Sequence, residues 1–171
     1  MGAGEVNAFP LASHTQAWLT PLSPLFHSAT AKRVAALQPA LAARGVGLAC
    51  VANAWIEPEI RAFVDGYFPT SVGPTYLDET KAFFTAVGGG SSPRRGSLTA
   101  FLNPFGRVWR NAKAAKASVT DHNMEGDGLT MGGLMVVSGA KGVVYAAYET
   151  TFGDAPSDDD ILAAAERAVA A

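Results

Sequence analysis

The only thiol in this chain is Cys50, so the first chemistry to weigh is that of a nucleophilic cysteine. A cysteine attacks as its thiolate, which forms where a cation or a helix N-terminus lowers the pKa. Cys50 lies instead within Val46-Gly47-Leu48-Ala49-Cys50-Val51-Ala52, a continuous apolar run. A thiol among apolar neighbours has a raised pKa and is inert. A structural role for Cys50 is expected, with a reactive thiol as the minor reading. A single cysteine also excludes an intrachain disulfide. His14, His27 and His122 lack the spacing of metal ligands. His27 stands where it can donate near a helix start, but a lone histidine is more often packing or surface. No Ser/His/Asp order, phosphate-binding loop or zinc pattern is present. No cofactor and no metal are therefore expected. Asp78 and Asp154 read as cap or turn residues.

A second chemical feature is basic. Arg94, Arg95, Arg107, Arg110, Lys113 and Lys116 occur with no acid between them. The last four are three residues apart, so a helix carries them as a drifting stripe. Phe101, Leu102, Phe105, Val108 and Trp109 supply apolar partner surface. One reading is contact with an anion or a membrane surface. The commoner meaning of such a segment is an amphipathic helix with a solvated basic face.

Composition bounds these readings. The chain has 171 residues, 49% hydrophobic and 16% charged, which fits one soluble globular domain. Its net charge of −2 gives no global pull towards nucleic acid or anionic membrane. No apolar run reaches the ~18 residues of a spanning helix. The first six residues, Met1-Gly2-Ala3-Gly4-Glu5-Val6, make neither a signal peptide nor a good myristoylation site. Glu5 is the only charge before Lys32, which disfavours an organelle address, so a cytoplasmic location is expected, with an organelle as the alternative if the N-terminus is incomplete.

The elements that must position these residues follow in order. Residues 1–24, punctuated by Pro10, Pro21 and Pro24, read as an irregular arm in which Trp18, Leu19, Leu22, Leu25 and Phe26 pack loosely. A helix is predicted from Ser28 or Thr30 to Arg44, kinked at Pro39 and stopped by Gly45. The run 46–52 reads as a buried strand. Glu57-Pro58-Glu59 opens a helix. Thr75–Asp78 is a short strand, and Asp78 caps a helix beginning at Glu79. A long helix follows in the basic segment. Leu134–Val137 and Val143–Tyr148 flank Ser138-Gly139-Ala140-Lys141-Gly142 as a hairpin whose first strand is covered on both faces. Gly132 and Gly133 beside that strand suggest the close approach of a backbone or a ligand. Ser157 caps a last helix over 158–170, with Asp158, Asp159 and Asp160 in its first turn. Alternating strands and helices that end in a hairpin and a helix predict an α/β sandwich.

On these residues the chain resembles a known family. The ordered set Tyr76-Leu77-Asp78-Glu79-x-Lys81-x-Phe83-Phe84, Asn123-Met124-Glu125-Gly126-Asp127-Gly128-x-x-x-Gly132-Gly133-x-x-Val136-Val137 and Glu149-x-x-Phe152-Gly153-Asp154 looks like the peroxiredoxin-like proteins of the alkyl hydroperoxide reductase/thiol-specific antioxidant group. Leu37-Gln38-Pro39-Ala40-Leu41 is similar to them too. The likeness covers about residues 25–170. It implies a thioredoxin-like sandwich over 25–171, a mixed sheet with a C-terminal hairpin and helix. Within it, Asp78, Gly126, Gly128, Gly132, Gly133, Gly153 and Asp154 would be structural motif residues. It also implies antioxidant, thiol-dependent reduction, including endoperoxide reduction in some animal members. The thioredoxin or glutathione system would be the reductant partner, with no nucleic-acid partner, and no oligomeric state follows.

The chain departs from that family at its reactive position. Members usually carry Cys-x-x-Cys just before the first helix, where the helix N-terminus activates a thiol. Here that stretch is Ser23-Pro24-Leu25-Phe26-His27-Ser28. The preceding strand is not readable in residues 1–22, which leaves a missing N-terminal strand as one reading. Either the start of a gene product has been replaced, or the chain is a redox-dead relative kept for binding, with the 94–116 segment as its surface. Catalysis by a two-cysteine cycle is not expected.

Overall fold

The computed structural model describes residues 15–20, 24–52, 57–87, 95–118 and 130–170. Its sheet is organised on β1, Gln16–Thr20. β1 pairs in parallel with β2 (Gly47–Ala52) and antiparallel with β4 (Gly133–Ser138). β3 (Thr75–Leu77) lies outside β2, and β5 (Gly142–Tyr148) lies outside β4. The order is β3-β2-β1-β4-β5. Two expectations are corrected here. Residues 16–20 are not part of an irregular arm, and the central strand is present. A five-residue strand with ladder partners on both edges needs little β-propensity of its own, because its neighbours satisfy its backbone.

The first helical stretch is also corrected. It begins at Pro24, earlier than predicted, and forms two helices, α1 (Pro24–Ala35) and α2 (Gln38–Ala42). Pro39 lies in the first turn of α2, where its missing N–H costs nothing, so the chain breaks before proline instead of kinking at it. Gly45, at φ +73°, ends this stretch as expected. The other helices are α3 (Glu57–Gly66), α4 (Ala82–Val87), α5 (Arg107–Ser118) and α6 (Asp158–Val169). Ser157 caps α6 by accepting from the Asp160 N–H at 3.2 Å, as read from the sequence. The basic segment is less regular than the predicted long helix. A 3-10 turn, Leu98–Leu102, precedes α5.

Alternation along the strands separates two cores. Leu48 and Cys50 of β2, with Leu134 and Val136 of β4, pack with Ala31 and Val34 of α1, Leu41 of α2 and Ile161 and Ala165 of α6. Ala49, Val51 and Met135 face the other way, towards Phe84 of α4 and Val108 and Ala115 of α5. Both faces of β2 and β4 are thus covered, which explains their continuous apolar runs.

Asp78 caps α4 but from further away than predicted. The chain turns at Lys81, which has φ +55°, and α4 starts at Ala82 rather than Glu79. The Asp78 carboxylate is buried and accepts from the N–H groups of Ala82 at 2.9 Å and Phe83 at 2.8 Å. Asp78→Ala would strand these donors and is expected to destabilise the domain by ~2 kcal/mol or more. A shift in the urea unfolding midpoint measures this, and an unchanged midpoint would refute the cap.

Candidate functional site at the carboxyl end of the central strand

β1 ends at Thr20, which pairs with Gly133, and Gly133 pairs with Tyr148. One residue beyond this row lie Gly132 and Glu149, which are bonded to each other. The Glu149 N–H donates to the Gly132 carbonyl at 2.9 Å, and the Gly132 N–H donates to the Glu149 carboxyl at 3.2 Å. The other carboxyl oxygen accepts from the Gly153 N–H at 2.6 Å. The close approach foreseen at Gly132 and Gly133 is therefore made by the next strand and by this carboxyl group. Glu149 is 6% exposed. Burial is the main cause that pushes its carboxyl pKa up to about 7, the Gly153 N–H pulls it back, and the charge of Asp154 raises it further.

Asp154 closes the turn after β5. Its carboxylate accepts from Arg107 at 2.9 Å, from the Thr150 hydroxyl at 2.9 Å and from the Thr151 N–H at 3.1 Å. Asn111 donates to the Phe152 carbonyl at 2.8 Å and to Asp154 at 3.3 Å. The turn is thereby fixed to the start of α5. On its other side, Arg33 of α1 donates to the Pro156 carbonyl at 2.6 Å and pairs with Asp158. Between these anchors lies a pocket of about 220 Å³, lined by Thr30, Arg107, Tyr145, Glu149 and Asp154 among others. It offers a carboxyl group that titrates near neutrality, a phenol, a hydroxyl and a guanidinium. That set suits a small polar ligand.

Cys50 is elsewhere. It is fully buried in β2, opposite Leu19 on one side and Thr75 on the other. The row runs on from Leu19 to Leu134 and Ala147. Leu134 lines the pocket, so two strand spacings, about 10 Å, separate the Cys50 backbone from the pocket's near edge. Burial pushes its thiol far above the ordinary value, against small opposing effects from the Val51 backbone and the Thr75 hydroxyl. Gly132, Gly133, Gly153 and Asp154 thus meet at this end of the sheet, whereas Asp78 caps α4 and Cys50 stays in the core. Gly126, Gly128, His14 and His122 lie outside the described residues, as does the side chain of His27. Among the described residues, no group of three or more His, Cys, Asp or Glu is placed to hold a metal. Glu149 and Arg107 were legible only as a motif residue and a basic-stripe residue. An acid following a strand reads as solvated, and nothing local reveals that two backbone N–H groups draw it inward.

The sheet order and the helices on its two faces define the class as a thioredoxin-fold protein. The bacterioferritin comigratory protein of Xanthomonas campestris aligns with a TM-score of 0.58 at 13% identity, covering 94% of this chain and 83% of that one. Prx3 of Vibrio vulnificus aligns at 0.56 and 16% identity, covering 91% and 83%. These likenesses concern the fold. In sequence, the chain belongs to the AhpC/TSA antioxidant enzyme family, whose pattern matches residues 33–151. Peroxiredoxin-like 2A of Gallus gallus is 33% identical over 138 residues, covering 80% of this chain and 57% of that protein. The Danio rerio counterpart is 33% identical over 140 residues, covering 81% and 61%. The chain therefore spans less than two thirds of these relatives' length.

The buried carboxyl makes stability pH-dependent. Glu149 has a higher pKa folded than unfolded, so its contribution is complete below the ordinary carboxylate range and is lost as pH rises through about 7. Folding stability is expected to fall by on the order of 2 kcal/mol between about pH 5 and pH 8. Glu149→Gln keeps one acceptor and has no charge, so it should flatten that slope. Urea unfolding of both proteins across this range measures it, and equal slopes would refute the assignment.

Proposed function

We propose that this chain is a family member that does not turn over peroxide with its own thiol and acts as a thioredoxin-fold binding module. One observation carries the reading: its sole cysteine is 0% exposed, in mid-strand, and away from the pocket at the end of β1. A two-cysteine cycle needs a second thiol to form the disulfide, and the sequence has none. A one-cysteine cycle needs an accessible thiolate, which burial of Cys50 opposes.

Two features support binding. The pocket beside Glu149 is preformed and held by hydrogen bonds from Gly132, just before β4, and from Asn111 of α5. The 94–116 segment presents large exposed apolar groups beside its cations. The family likeness favours a second reading, thiol-dependent antioxidant reduction with the thioredoxin or glutathione system as reductant. That reading requires Cys50 to become exposed, because residues 23–28 contain no cysteine. Among the described residues, no helix is long and apolar enough to cross a membrane. The reading places the chain in the cytoplasm, where an unpaired thiol stays reduced.

Treatment with stoichiometric hydrogen peroxide, followed by intact mass measurement, separates the two. The expected result is an unchanged mass over minutes, identical to Cys50→Ser apart from the substitution. Rapid addition of oxygen confined to Cys50 would show an exposed, activated thiol, overturn the binding-module reading and open a one-cysteine reductase mechanism instead.

A further inference from the structure

Charge in this chain is segregated. Residues 80–120 hold Lys81, Arg94, Arg95, Arg107, Arg110, Lys113 and Lys116 and no acid, whereas all fifteen acids lie outside that stretch. The small net charge hides this separation. Within the basic stretch, Leu102 is 81% exposed, Phe105 is 89% exposed and Trp109 is 45% exposed. These are large apolar groups in eight residues, and an apolar cluster of that kind marks a contact surface.

The cluster is rigidly built. The Asn103 side chain accepts from the Phe105 N–H at 3.0 Å, and the Gly106 N–H donates to the Asn103 carbonyl at 2.9 Å, which fixes the turn. The Trp109 indole N–H donates to the Phe101 carbonyl at 3.0 Å. Phe101 meets Trp109 edge-on at 6.2 Å and packs on the buried Phe152 at 5.4 Å. Gly96 lies so close to that ring that a Cβ there would come within 2.2 Å of it. Leu102 and Phe105 are therefore held outward by the body of the protein. Along α5, Lys113 and Lys116 follow Trp109 at the spacing of one helix face. Both are exposed, as is Arg110, while Arg107 is engaged by Asp154.

We propose that this turn and the basic face of α5 dock on an anionic lipid surface, with Leu102 and Phe105 entering the headgroup boundary and Trp109 at its level. Cations that draw the surface in, apolar tips that enter it and an indole between them are the parts such a contact needs. A second copy is the less suitable occupant. A two-fold contact on this patch would set Arg110, Lys113 and Lys116 against their own copies, at a cost in repulsion. The proposal deepens the surface-binding reading and leaves the state of Cys50 aside, so Cys50→Ser should bind as the parent does.

Cosedimentation with vesicles tests it. The chain should sediment with phosphatidylcholine vesicles containing about 30% phosphatidylserine at about 0.1 M salt, and not with pure phosphatidylcholine. Leu102→Ala with Phe105→Ala should weaken binding at least about tenfold with an unchanged circular dichroism spectrum. Lys113→Glu with Lys116→Glu should weaken it comparably. Failure to sediment with the anionic vesicles overturns the proposal, as does equal binding by the Leu102/Phe105 variant. A lipid-free oligomer that the same variant converts to monomer would assign the patch to a second copy.

Discussion

The structure depends on β1 being paired along both edges. It joins the parallel half of the sheet, β2 and β3, to the antiparallel half, β4 and β5. Without it those halves would present two unpaired edges in the middle of the core, and each unmet backbone group there costs as much as a lost hydrogen bond. The same pairing sets the functional geometry. The Thr20–Gly133–Tyr148 row fixes where β1 ends relative to β4 and β5, and hence where Gly132 and Glu149 meet. The 0% exposure of Ala17 shows how closely this strand is covered.

That central strand was the least legible element in the sequence, and the strands on either side of it were among the most legible. Val46–Ala52, Leu134–Val137 and Val143–Tyr148 announce themselves because burial or pairing is written in their residue types. Ser157 and the three acids after it announce α6 through capping and dipole chemistry, which are local. β1 reads Gln16-Ala17-Trp18-Leu19-Thr20, and its strand state comes from its neighbours. The break before Pro39 and the late start of α4 belong to the same class. A proline sets what cannot continue, while the turn at Lys81 decides where the helix begins. For the site, Gly132, Gly133, Gly153 and Asp154 were visible as an ordered motif. The role of Glu149 was not, since its burial is created by N–H groups of Gly132 and Gly153 that sequence spacing cannot aim.

Burial acts on two acids of this chain with different results. The Cys50 thiol has little around it that stabilises a negative charge, so desolvation dominates and the thiol stays protonated. Glu149 is nearly as buried but receives two backbone N–H groups, which partly offset desolvation and leave it titrating near neutrality. Asp154 beside it is tied to the Arg107 guanidinium, whereas the Glu149 carboxyl is held by the backbone N–H groups of Gly132 and Gly153. The chain thus keeps a responsive group at the end of the sheet and an unresponsive one in its core.

Rigidity connects the pocket to the basic surface. Asn111 and Arg107 of α5 hold Phe152 and Asp154, and the Phe152 ring supports Phe101 and through it Trp109. One turn, Glu149 to Asp154, is therefore braced from β4 on one side and supports the exposed apolar cluster on the other. A ligand in the pocket and a partner on the surface would both act on it. Coupling between two sites requires an element with two arrangements that both can bias, and physical continuity alone does not supply one. The many hydrogen bonds to this turn favour a single arrangement. The continuity is thus better understood as shared support, which keeps Leu102 and Phe105 outward at little entropic cost when a surface is met.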